Sequence, residues 1–394
     1  QVGKTYSILE FGRTCYENVA YFNFETNPKL NETFAENISP DYLIPILSHI
    51  AGQTIIREKT LIVFDEVQLC ERALTSLKYF CEDAPEYHII VAGSLLGVAV
   101  NRTRFSFPVG KVDMKTLYPM DMEEFMLAMG EEQLVELIKK CFQTDTPMPA
   151  ALHDAAMQLY RQYLVVGGMP ECVMQFIQTK DYILVRNTQN TILASYLNDM
   201  SKYNNLSEIK KTRLAYDNIT VQLSKKNTRF QYKLIKKGGR ASEFENAIEW
   251  LCLSGIVSQV YKVEQVKKPL ENYRDIDAFK IYVSDLGLLC AKKELMANDI
   301  LYMVKELDDF KGGMTENYVN VQLSINGYHM YYWKSARGAE IDFVIQREGK
   351  LIPIEVKSAD NTRAKSLKVY MDTYQPAYAI KLSAKILRLR IIKK

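Results

Sequence analysis

Residues 60–66 read Thr-Leu-Ile-Val-Phe-Asp-Glu, four consecutive apolar side chains closed by two carboxylates. A run without a polar face must be covered on both sides, which places it inside a parallel sheet with helices above and below. Its carboxylates then stand at the strand's C-terminal end, where open α/β sheets form their ligand crevice. This stretch sets the class of the N-terminal part as α/β.

The start of the chain agrees. Gln1-Val2-Gly3-Lys4-Thr5 is the ending of a P-loop, Gly-x-x-x-x-Gly-Lys-Ser/Thr. In a complete loop the backbone N–H groups surround the phosphates, the Lys reaches the β- and γ-phosphates, and the hydroxyl holds Mg²⁺. The first glycine and the delivering strand would precede Gln1, so within this stretch the nucleotide site is expected to be half-built. Tyr6 to Tyr16 carries Ile8, Leu9 and Phe11 near helical spacing, the helix such a loop opens. Asn18 to Glu25 alternates and reads as a strand. Asp65 is then the Mg²⁺ ligand through water and Glu66 the general base. A further strand, His88 to Ala92, leads to Ser94, a γ-phosphate sensor on the same rim. Each piece alone has an ordinary alternative, since Gly-Lys-Thr recurs by chance and Asp-Glu can cap a helix. Their order along the chain points to a P-loop NTPase fold.

With 394 residues the chain exceeds a single core, so two or three domains are expected. No apolar run approaches the ~20 residues of a membrane span. Seven scattered cysteines without a Cys-x-x-Cys pair fit reduced thiols and a cytoplasmic location. Four histidines, none at ligand spacing, argue against a His-based zinc site. The net charge of +3 conceals an asymmetry: residues 1–130 carry 11 basic and 17 acidic side chains, residues 205–240 carry 10 and 2, and residues 350–394 carry 11 and 3. DNA, as a partner, would meet the two basic segments; a solvated basic face is the equal alternative.

Glu123 to Cys141 and Ala151 to Leu164 read as amphipathic helices of a helical lid, and Gly167-Gly-Met-Pro170 as a turn needing positive φ. Between Ser207 and Val283 the order is helix, short strand (Phe230 to Tyr232), helix and strand pair. The second helix starts at a capping box, Ser242-Glu-Phe-Glu245, and stops at Gly255. This resembles a winged helix, which can contact DNA through the Lys/Arg run from Lys225 to Arg240 or dock a protein.

Residues 340–358 form a hairpin turning at Arg347 to Lys350. In that register Asp342 falls opposite Glu355, with Lys357 two residues on, while Ile341, Phe343 and Ile345 share the other face with Val356, Ile354 and Ile352. Two close carboxylates favour a divalent metal between them, with Lys357 steering or activating a water. Glu316 on a preceding helix, with Asp342, Glu355 and Lys357, resembles the PD-(D/E)xK nuclease core; Glu340, Arg337 and Ser358 lie near. Many such cores bind DNA without cleaving it.

As a whole the chain resembles the AAA-like ATPases of bacteria and archaea that carry a C-terminal restriction-endonuclease-like domain of unknown function. The shared words are Gln1-Val-Gly-Lys-Thr5, Phe64-Asp-Glu-Val-Gln68, Ala92-Gly-Ser94, Phe107-Pro-Val-Gly110, Leu117-Tyr-Pro119, Glu123-Glu-Phe125 and Gly167-Gly-Met-Pro170. The resemblance implies ATP as the nucleotide. Arg102 and Arg104 stand where an arginine could act on a neighbouring subunit's phosphate, or be surface charge; self-association stays open. The expected layout is a P-loop ATPase core over 1–125, a helical lid over 126–204, a winged-helix-like module over 205–283 and a restriction-endonuclease-like α/β domain over 284–394. The expected function is an ATP- and Mg²⁺-dependent ATPase linked to DNA. A metal-dependent DNA endonuclease regulated by ATP, and an ATP-switched protein scaffold without nucleic acid, are the alternatives.

Overall fold

The computed structural model describes residues 2–93, 110–202, 206–224, 229–358 and 365–385. Ser94, Arg102, Arg104, Phe107 to Val109, Lys225 and Lys226 lie outside the described residues. The chain divides into two units, Gln1–Leu117 and Tyr118–Lys394.

In the first unit helix α1 (Lys4–Cys15) leads into β1 (Asn18–Asn23), α2 (Lys29–Glu36), α3 (Pro40–Ala51), β2 (Thr60–Asp65), α4 (Glu71–Asp83) and β3 (His88–Val91). The strands are parallel in the order β1-β2-β3, with Asn23 level with Asp65 and Leu61 with His88. All six residues of β2 are buried, as its unbroken apolar run requires of a middle strand. Beneath the sheet Phe24, Phe34 and Phe64 meet edge-on or tilted with centroids 5.5–5.8 Å apart, the geometry aromatic quadrupoles favour.

The second unit opens with helices α5 (Met122–Ala128), α6 (Glu132–Gln143), α7 (Ala150–Val166), α8 (Pro170–Thr179) and α9 (Tyr182–Lys202). The helix expected from Glu123 to Cys141 is two, because the chain turns at Gly130 with φ 82°. The capping box belongs to α5, where Asp121 accepts from the Glu124 N–H and Glu124 accepts from the Asp121 N–H. Next come α10 (Leu206–Ser224), α11 (Tyr232–Ile235) and α12 (Ala241–Leu253). The capping box read at Ser242 is absent: α12 begins at Ala241 after Arg240, with no side-chain cap. The strand expected at Phe230 to Tyr232 is absent too. Phe230 makes a single backbone bond to Phe279 before the chain enters α11.

The remaining elements are β4 (Val257–Val263), β5 (Arg274–Val283), α13 (Leu286–Lys292), α14 (Ala297–Leu301), α15 (Asp308–Ile325), β6 (Met330–Lys334), β7 (Glu340–Arg347), β8 (Lys350–Lys357), α16 (Lys365–Tyr374) and β9 (Ile380–Ser383). Six strands make one sheet in the order β5-β4-β6-β7-β8-β9. The boundary expected at residue 283 therefore falls inside a sheet: β4 pairs with β5 on one edge and runs parallel with β6 on the other. A wing standing apart would leave that second edge open.

Gly167-Gly168 is needed for more than its φ of 78° at Gly167. A Cβ on Gly168 would lie 2.1 Å from the Met120 carbonyl oxygen, and one on Gly167 2.4 Å from an Asp285 oxygen. Asp285, buried at the start of α13, accepts from the N–H of Gly168 at 2.7 Å and of Leu288 at 2.8 Å, locking the turn to the helix.

Candidate functional site

In the first unit α1 begins at Gly3, whose φ of 81° and ψ of 16° turn the chain into the helix. That start leaves the helix's first N–H groups without intrahelical partners, a ready site for an anion. Thr5 and Asp65, 60 residues apart, meet directly: the Thr5 hydroxyl donates to Asp65 Oδ2 at 2.8 Å. The Tyr21 hydroxyl donates to the same oxygen at 2.7 Å, and the Glu66 N–H to Asp65 Oδ1 at 3.0 Å. Burial raises the Tyr21 hydroxyl, with Asn23 opposing and Asp65 adding to the effect. Glu66 sits in the left-handed region at φ 53°, a costly conformation for a residue with a Cβ. The Gln68 amide donates to its carboxylate. Gly3, Lys4 and Thr5 at the start of α1 and Asp65 and Glu66 at the end of β2 are thus joined through the Thr5–Asp65 contact. Tyr21 and Gln68 are additions: Gln68 stood in the quoted Phe64-to-Gln68 word and Tyr21 two residues before the end of β1, without a signal for either role.

The carboxylates of the second unit also gather. The β7–β8 ladder pairs Phe343 with Ile354 and turns at Glu348-Gly349. One step further on, Asp342 bonds through its side chain: Oδ2 accepts the Val356 N–H at 2.7 Å. The alternation expected along β7 fails here. Against β6 the partners step from Tyr331↔Val344 to Trp333↔Ile341, one extra residue on β7. The bulge turns Ile341 into the core with Val344, Trp333, Leu367 and Tyr370 on the α16 side. Phe343 instead meets the Tyr282 ring at 5.7 Å.

Lys280 of β5 is the fully buried cation among the lysines of this group. Its Nζ lies 2.8 Å from Glu340 Oε1 and 3.5 Å from Glu316 Oε2, above the Tyr332 ring at 5.2 Å. The Tyr282 hydroxyl donates to Glu316 at 3.2 Å, Lys334 pairs with Glu340 at 3.1 Å, and Lys357 pairs with Glu355. Burial pushes Glu316 up to about 7, with Lys280 holding it back and Asp342 and Glu340 driving it further. Asp342 and Glu355 are raised as well, chiefly by burial. Burial works to lower Lys280, but Glu316, Tyr282, Glu340 and Asp342 outweigh it and raise it. Among the described residues no three acidic, histidine or cysteine side chains are arranged to hold a metal ion. Lys280 did have a signal, a lone charge in Ala278-Phe-Lys-Ile-Tyr-Val283, a stretch otherwise without one.

Comparison with known proteins matches residues 1–126 to a family model described as an AAA domain. The N-terminal unit is similar over residues 1–126 to AAA domains. Residues 157–299 match a domain of unknown function, DUF8612, and residues 311–392 another, DUF4143. No curated protein matches the chain. Among solved structures, the Walker-type ATPase PABY2304 of Pyrococcus abyssi is similar at 13% identity and a TM-score of 0.43, over 74% of this chain and 88% of that one. No described helix is long and apolar enough to cross a membrane, and the seven cysteines are free thiols.

Proposed function

We propose that the AAA-type domain binds ATP with Mg²⁺ and hydrolyses it, and that the second unit is a restriction-endonuclease-like module coupled to DNA. The observation that carries the ATPase reading is the Thr5–Asp65 hydrogen bond, which joins the P-loop ending to the carboxylate after β2. A hydroxyl and a carboxylate oxygen side by side are hard donors of the kind Mg²⁺ takes, so Thr5 and Asp65 would hold it. When bound, Mg²⁺ neutralises charge on the phosphate oxygens. Lys4 and the free N–H groups at the start of α1 bind and orient the phosphates. Glu66 positions the attacking water and takes its proton, while Gln68 fixes that carboxylate and Tyr21 fixes Asp65. Lys4→Ala is expected to weaken ATP binding about 10- to 100-fold, the size of one charge-assisted hydrogen bond. Fluorescent-nucleotide titration of the full-length protein checks this; unchanged affinity would remove Lys4 from the site.

The DNA part rests on two features. The order α15, β6-β7-β8 antiparallel, α16 and β9 parallel to β8 supports the reading of a PD-(D/E)xK-like core. Lys233, Lys237 and Arg240 are exposed on the basic segment. Neutralising these three is expected to weaken binding to duplex DNA and to reduce the slope of log K against log salt by about 0.9 for each phosphate that is no longer neutralised. Binding that is independent of salt and of these residues would favour a protein-docking role instead.

A further inference from the structure

We propose that Lys280 takes the place of a divalent metal in the second unit, so that its carboxylate group is closed by a built-in ammonium and does not cleave nucleic acid by metal-assisted hydrolysis. Glu316, Glu340, Asp342 and Glu355 come from α15, β7 and β8, and like charges so placed need positive charge among them. Three lysines supply it. An ammonium has three N–H donors and no acceptor, and those of Lys280 are engaged by Glu340, Glu316 and the face of Tyr332. Lys334 takes the second oxygen of Glu340, Lys357 takes Glu355, and the Val356 N–H takes Asp342 Oδ2. Glu355 Oε2 is buried without a hydrogen-bond partner. Among the described residues no set of three acidic, histidine or cysteine side chains stands ready to hold an ion beside it.

Burial holds the closure in place. Lys280 is wholly inaccessible, so its charge cannot swing out to water to admit a second cation, and a divalent ion beside it would meet strong repulsion at low effective dielectric. Its position on β5, next to β4 and two strands from β6, also gives a reason for the fusion of the β4–β5 pair onto this sheet: the pair brings the cation to the acids. The role left to the module is recognition, which goes beyond the ATPase reading and stands or falls apart from it.

The test is Mn²⁺ titration, followed by electron paramagnetic resonance, of the full-length protein without nucleotide and with Asp65→Asn to silence the nucleotide site. This protein is expected to bind no Mn²⁺ at millimolar concentration. Adding Lys280→Gln is expected to create one Mn²⁺ site per chain, which a further Asp342→Asn removes. A Mn²⁺ ion bound while Lys280 is present, and lost with Asp342→Asn or Glu355→Gln, overturns the proposal. So does a folded Lys280→Gln protein that binds none. Should that variant not fold, melting of the Asp65→Asn protein still decides. No change with Mn²⁺ supports Lys280 as the resident cation, and a rise abolished by Asp342→Asn overturns it.

Discussion

Glu66→Gln is expected to lower ATP turnover by about a hundred- to ten-thousandfold, the usual contribution of a positioned general base, while ATP affinity stays within about threefold of wild type because the proposed site assigns binding to Lys4, Thr5 and Asp65. The substitution keeps volume and hydrogen-bonding capacity but removes the proton acceptor. The local geometry makes it a clean test. The residue is held at φ 53° with its N–H on Asp65, and neither feature depends on its carboxylate. Steady-state turnover beside a fluorescent-nucleotide Kd, both in the full-length protein, separates the two effects. Undiminished turnover would remove Glu66 from the chemistry; a parallel loss of affinity would make it a structural residue of the crevice.

Asp285→Asn should cost about 1–3 kcal/mol, because its amide can accept from only one of the Gly168 and Leu288 N–H groups and turns an NH₂ toward the other. The effect should also depend on pH. Burial raises Asp285 to about 6, its backbone donors opposing the rise, and Glu316 reaches about 7. Both groups are raised on folding, so the native state holds more protons than the unfolded chain between about pH 4 and pH 7. Their stabilisation is complete below about pH 4 and is lost as pH rises through 6 and 7. Wild type therefore gains stability from Asp285 toward acid and Asp285→Asn does not, so the loss in melting temperature should be larger at pH 5 than at pH 8. A loss of equal size at both values would mean that Asp285 titrates normally.

Much of the first unit was legible because its signals are local. The apolar run of β2, the glycine before α1 and the carboxylates at 65 and 66 each act within a few residues, and a parallel β-α-β order leaves few ways to assemble them. Ser94 lies outside the described residues. In the second unit the hairpin turn at 348–349 was readable from Glu-Gly between apolar strands, whereas the faces of β7 were not. A period-two pattern assigns faces only while the ladder is regular, and the bulge at Asp342-Phe343 reverses it midway. Ser242 illustrates the weakness of a motif alone: Ser-x-x-Glu matched a capping box, yet Arg240 already held the N-cap position.

By itself the sequence determined the α/β class of the N-terminal unit, the glycine before α1 and the two carboxylates that follow the apolar run of β2, and the presence of four acids near the C-terminal hairpin. Only the tertiary structure decided what neutralises those acids. Lys280 lies 36 residues from Glu316 and 60 from Glu340, and its partners depend on which edge of β6 the β4–β5 pair adopts. Strands apolar on both faces carry no local mark of their neighbours, because burial rewards any apolar contact alike. The ion pairs that distinguish one arrangement from another form only after the sheet has closed.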